Sequence, residues 1–95
     1  MQSIKEIEKK IIPILKKHKA KKAGIFGSWV RGEQKKRSDV DILVELDKTL
    51  SLLDVIGIKL ELEKALKKKV DLVEYNTIRK ELRKNILKEE VPIQL

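Results

Sequence analysis

The chain has no cysteine, a single histidine and only three aromatic residues, Phe26, Trp29 and Tyr75. Without thiols it can build neither a disulfide nor a thiolate metal centre. So few rings cannot supply the stacking platforms on which single-strand nucleic-acid binders rely. No apolar run approaches the roughly 20 residues of a membrane span. The opening, MQSIKEIEKKII, has the spacing of an amphipathic helix and lacks the continuous apolar centre of a signal peptide. A cytoplasmic setting without membrane contact is therefore expected.

What remains is aliphatic and charged. Charged residues make up 40% of the chain and apolar ones 41%, so Ile, Leu and Val must form the core. Lysine and arginine outnumber aspartate and glutamate 23 to 15, a net charge of +8. That excess favours an anionic partner (nucleic acid, a nucleotide or an acidic protein face), although a solvated lysine surface accounts for most of it. The local concentrations are KKHKAKK at 16–22 and KKR at 35–37.

No repeat or linker interrupts the 95 residues, which read as one domain over 1–95. Ser3 and Glu6 have capping-box spacing, and Ile4, Ile7, Ile11 and Ile14 follow at helical intervals. Pro13 is expected to kink that helix or end it near Ile12. A first strand is expected over 22–26, a brief helix from Ser28 to about Glu33, then a polar loop. DVDILVEL forms a second strand, with Val40, Ile42, Val44 and Leu46 on one face and Asp39, Asp41, Leu43 and Glu45 on the other. A helix from Thr49 or Ser51 to Lys68 should present a wide apolar face of Leu53, Ile56, Leu60, Ala65 and Leu66. A third strand covers 69–75, and a last helix capped by Asn76 or Thr77 carries Ile78, Leu82 and Ile86. Pro92 confines the tail VPIQL to a sheet edge or an interface. The alternation predicts an α/β (α+β) fold with helices covering one face of the sheet and chemistry on the other.

Aspartate is a poor strand former, yet Asp39 and Asp41 open a strand on the same face. Two such carboxylates repel unless one takes up a proton or a cation intervenes. Magnesium suits them, since it binds through one or two carboxylates together with substrate phosphates. Asp71, in the same apolar-Asp-apolar setting on the next strand, could complete a two-metal phosphoryl-transfer site. Upstream, Gly27 permits close backbone approach, and the helix start at Ser28 offers amides and a hydroxyl to a phosphate. A nucleoside triphosphate bound as its magnesium complex fits both ends.

GSWVRGEQKKRSDVDILVEL resembles the G-S-x-A-R-G…S-D-x-D-L signature of the minimal nucleotidyltransferases (MNT), in the DNA polymerase β-like superfamily. The resemblance implies a nucleotidyltransferase fold with a small mixed β-sheet, and Mg²⁺-dependent transfer of a nucleoside monophosphate to a hydroxyl. It implies that Gly27 and Ser28 hold the triphosphate, that Asp39 and Asp41 ligate two metal ions, and that Asp71 acts as base or shared ligand. Arg31 matches the family's arginine and could contact phosphate or pair with an acid. Val30 departs from the usual alanine. Trp29 could stack on a base or pack against the last helix. His18 reads as a surface or capping residue.

Only about twenty residues follow the third strand, so the acceptor is expected to come from another protein. Minimal nucleotidyltransferases typically accompany a helical HEPN ribonuclease, so the resemblance implies an antitoxin that transfers AMP from ATP to a tyrosine of that toxin. Two alternatives are a binding antitoxin without catalysis and a nucleotidyltransferase for a small molecule. A nucleic-acid acceptor is disfavoured.

Overall fold

A computed structural model describes residues 4–32 and 39–95, apart from the side chains of Ser28 and Arg31. The elements run α1 (Ile4–Lys17), β1 (Lys22–Phe26), α2 (Ser28–Arg31), β2 (Val40–Glu45), α3 (Leu52–Leu66), β3 (Val70–Glu74), a 3-10 turn (Tyr75–Thr77), α4 (Lys80–Glu89) and β4 (Val91–Ile93). The four strands lie in the order β3-β2-β1-β4. β1 pairs antiparallel with both β2 and β4, while β2 and β3 run parallel, so the sheet is mixed. The parallel pair requires a crossover, and α3 supplies it. Pro92 sits on the edge strand β4, as its missing amide demands.

Strand parity sorts the side chains. Ala23, Ile25, Val40, Ile42, Val44, Val70 and Ile93 pack with Ile7, Ile11 and Leu15 of α1 and with Ile58, Leu62 and Leu66 of α3. One sheet face is thus covered by helices. Leu43 is also fully buried, yet it has the opposite parity and stands outside that cluster.

Three local expectations are corrected. α1 continues through Pro13 to Lys17. An internal proline costs about 3 kcal/mol. Ile7, Ile11 and Leu15 are fully buried, and each such side chain contributes about 1.5–3 kcal/mol. Because Pro13 is itself exposed, water can reach the carbonyl it leaves without an amide, so burial prevails. The Ser3–Glu6 capping box falls on a residue outside those described.

α3 does not bury Leu53, Ile56 and Leu60; Leu53 is 79% exposed and Leu60 57%. The helix is apolar on two adjacent stripes. The stripe through Val55, Ile58, Leu62 and Leu66 runs its full length into the core, whereas the other breaks off at Lys64. α4 begins later than expected, because the Thr77 hydroxyl donates to the Glu74 carbonyl at 2.8 Å and closes the 3-10 turn instead of capping a helix. Ile78 is buried in extended backbone before the helix starts, and Leu82 stays half exposed.

His18 follows α1, with Nε2 3.0 Å from Glu61 Oε1, while Lys17 Nζ donates to Glu61 Oε2 at 3.2 Å. These contacts tie the end of α1 to α3, and the His18 hydrogen bond, then that from Lys17, lower the Glu61 carboxyl below its usual range.

At the head of α3, Ser51 Oγ accepts from the Asp54 amide at 3.2 Å and Asp54 Oδ2 accepts from the Ser51 amide at 2.9 Å. The backbone bond from Ser51 lowers the Asp54 carboxyl below its ordinary 3.8, aided by the bond to the Ser51 side chain. A depressed carboxylate stabilises the fold above its unfolded pKa, and that contribution is lost as pH falls through the lower folded value. Ser51→Ala should lower unfolding stability by about 1 kcal/mol near neutral pH. The gap from wild type should narrow below the ordinary aspartate pKa, measured by urea unfolding at both pH values.

Candidate active site

The sheet face opposite the helix-packed core holds the acids. In register, Phe26 stands opposite Asp41, and Asp41 opposite Asp71, so the three residues form one row across β1, β2 and β3. Neighbouring strands lie about 4.8 Å apart, which sets the Asp41 and Asp71 side chains abreast on one face. Asp39 precedes β2 by one position and shares the parity of Asp41, about 6.6 Å back along the chain. Asp39 and Asp71 are exposed, and Asp41 is half-buried. Among the described residues neither Asp39 nor Asp71 forms a salt bridge.

No group of three or more Asp, Glu, His or Cys side chains among the described residues is drawn together closely enough to cage a metal ion. The sheet register therefore aligns two of the expected acids directly and brings the third near by parity, without a closed ligand set. A magnesium site does not require one, since water and substrate phosphates complete its shell.

Gly27 links the turn to the acids. Its φ is +82°, the left-handed region that side chains disfavour. A Cβ there would stand 2.9 Å from Asp41 Cγ and nearer still to its Oδ2. The Asp41 carboxylate thus rests directly on the turn that leads into α2. The Gly27 carbonyl accepts from the Val30 amide at 3.1 Å. Val30 packs against the core, so its extra bulk over alanine is turned away from the acids. The roles expected of the Ser28 and Arg31 side chains, and the polar loop at 33–38, lie outside the described residues.

Trp29 is 5% exposed and belongs to the core cluster, in which no α4 residue takes part. It is therefore neither a stacking surface nor a contact of the last helix. Lys68 Nζ lies 5.5 Å from its ring centroid. Glu90 carries no motif that marks it, yet its side chain folds over Gly24 and accepts a hydrogen bond from the Tyr75 phenol. Burial, then the Glu90 carboxylate, pushes that phenol well above the usual tyrosine range. Its only signal would have been long-range pairing of β4 with β1.

Gly27→Ala should destabilise the protein by about 1–3 kcal/mol through the left-handed backbone alone, and more through the clash with Asp41. In the double variant Gly27→Ala/Asp41→Gly the two losses should sum to less than the separate ones, because the clash is gone. Denaturant unfolding of the four proteins checks this; strict additivity would mean that the carboxylate does not press on the turn.

The sequence matches the family model "Polymerase beta, Nucleotidyltransferase" over residues 9–94. A Methanocaldococcus jannaschii protein, provisionally described as a protein adenylyltransferase, is 53% identical over 91 residues, 96% of this chain and 98% of its own. The protein adenylyltransferase MntA of Thermococcus cleftensis is 39% identical over 99 residues, 96% of each chain. Among solved structures, a toxin–antitoxin crystallised with AMP-PNP superposes with a TM-score of 0.80 at 29% identity, covering 92% of this chain and 72% of that one. A complex of tri-AMPylated Shewanella oneidensis HEPN toxin with its MNT antitoxin gives 0.73 at 25% identity, covering 95% and 71%. No helix among the described residues is long and apolar enough to cross a membrane. With the family model spanning residues 9–94 and the relatives aligned over 96% of the chain, the chain belongs to the polymerase β nucleotidyltransferase family.

Proposed function

We propose that this protein is an adenylyltransferase that moves AMP from ATP to a tyrosine hydroxyl of a helical HEPN toxin, and so acts as its antitoxin. One observation carries the reading: Asp41 stands in register beside Asp71, with Gly27 against the Asp41 carboxylate, inside the segment that the family model matches. The named activity of the MntA relative and the AMPylated HEPN toxin bound to an MNT antitoxin supply the acceptor class.

The donor set suits Mg²⁺. Asp39, Asp41 and Asp71 offer hard carboxylate oxygens, two of them exposed and free of salt bridges among the described residues. Asp39 and Asp41 would hold one or two ions, which when bound would neutralise the phosphates and offset the repulsion between the acids. Gly27, without a side chain, lets the Asp41 carboxylate lie against the turn, and Ser28 and Arg31, next in the chain, would contact the triphosphate. The tyrosine oxygen attacks the α-phosphorus, an O–P bond forms, the bond to the β-phosphate bridge breaks, and pyrophosphate leaves. Asp71, in register with Asp41, would take the phenolic proton or share a cation with its neighbour.

Asp39→Asn and Asp41→Asn should each reduce AMP transfer by more than about a hundredfold without loss of folding, since neutralisation also relieves repulsion. Asp71→Asn should lose transfer while ATP binding persists. Co-expression with the toxin, followed by intact-mass measurement of the toxin and nucleotide titration of each variant, reads both. A toxin that is bound tightly but never gains AMP would replace this reading with neutralisation by binding alone.

A further inference from the structure

The acids occupy one end of the sheet face opposite the core, and the other end is a cleft of about 530 Å³. Lys21, Lys22, Lys48 and Arg83 line it, with Glu45, Glu74 and the Tyr75 ring between them. Lys22 and Glu45 face one another in register across β1 and β2. Lys22 Nζ stands 4.6 Å over the Tyr75 ring, and Arg83 Nη2 donates to the Tyr75 carbonyl at 3.4 Å. None of the four cations forms a salt bridge with another described residue, although two carboxylates share the cleft. Glu45 lies four positions beyond Asp41 on β2, which is about 13 Å along the strand. Among the described residues, Asp39, Asp41 and Asp71 thus gather at one end of the strands, and four cations with two carboxylates gather at the other.

We infer that the cleft docks acidic side chains of the acceptor protein, so that the segment bearing the modified hydroxyl lies along this face with carboxylates about four residues from it. This rests on the adenylyltransferase reading for the identity of the acceptor, and the span follows from the geometry, since 13 Å is about four residues of extended chain. Discrete carboxylates suit the cleft better than a nucleic-acid backbone. Glu45 and Glu74 would repel a continuous run of phosphates, and the Tyr75 ring already carries Lys22 over one face while its phenol is bonded to Glu90. Between the two ends the Glu90 side chain, bonded to the Tyr75 phenol, lies over Gly24, and Leu43 is buried, so an acceptor segment would pass across the top of that pair.

The test uses a fluorescein-labelled tyrosine peptide with glutamates four and five residues to either side, and the same peptide with glutamines. Anisotropy without nucleotide should show the acidic peptide binding about tenfold more tightly, as two or three exposed ion pairs allow. With ATP and Mg²⁺, KM should fall by a similar factor while kcat stays level. Lys21→Glu/Lys48→Glu, both exposed, should abolish the preference and leave ATP affinity unchanged. Lys9→Glu/Lys10→Glu on α1, an equal change of charge elsewhere, should retain it. Equal binding of the two peptides, equal loss in both double variants, or tighter capture of a single-stranded RNA of the same charge by the cleft would each overturn the docking proposal. Preferential binding without any AMP transfer would leave the cleft standing and remove the activity assigned to the acids. Transfer without preference would do the reverse.

Discussion

The parallel pairing of β2 with β3 is the constraint on which the rest depends, because it sets Asp41 beside Asp71. At about 5 Å two unit charges repel by roughly 1–3 kcal/mol at effective dielectrics of 80 to 20. On the reverse of the same strands Val40, Ile42, Val44 and Val70 are almost fully buried, each contributing about 1.5–3 kcal/mol. The apolar face wins by a wide margin. The register is thus fixed by the core, and the acids are carried into proximity whether or not a cation is there. A one-residue slip of β3 would turn Asp71 inward and expose Val70, so the core also enforces the chemistry.

Much of this was legible because strand parity leaves a period-two trace. Val40, Ile42 and Val44 against Asp41 and Glu45 could be assigned to faces from the letters alone, and VDLVE at 70–74 repeats the pattern of VDILVE at 40–45. The edge position of β4 followed from Pro92. Helix faces were harder. α3 carries two apolar stripes, and only the tertiary fit decides which one is buried. Pro13 misled because a local penalty was weighed without the burial of Ile7, Ile11 and Leu15 that outweighs it. The start of α4 was lost to a hydroxyl-to-carbonyl bond, a geometry that Thr77 shares with a cap in sequence terms.

The acid row was legible in parts and not as a row. That Asp39 and Asp41 share a face needed only alternation, whereas the alignment of Asp71 needed to know that β2 and β3 are adjacent and parallel. The contact between Gly27 and the Asp41 carboxylate could not be read at all, because it joins the end of β1 to the start of β2 across a pair of strands. The glycine alone signals a turn; the packing shows why no side chain can stand there. Likewise the four cations of the far cleft come from three separate stretches of chain, Lys21-Lys22, Lys48 and Arg83, and in sequence nothing joins them.

The same face also engages the chain's own phenol. Tyr75 follows β3 four positions after Asp71, about 13 Å along an extended strand between the two backbones. Its hydroxyl donates to Glu90, whose side chain lies over Gly24, and burial raises its pKa, so it is held in a contact of its own. An acceptor hydroxyl carried to the acid row on another surface has no such constraint. The row lies exposed at the end of the strands, with Asp39 and Asp71 open to solvent, so a folded partner can present one without any strand of this sheet having to part.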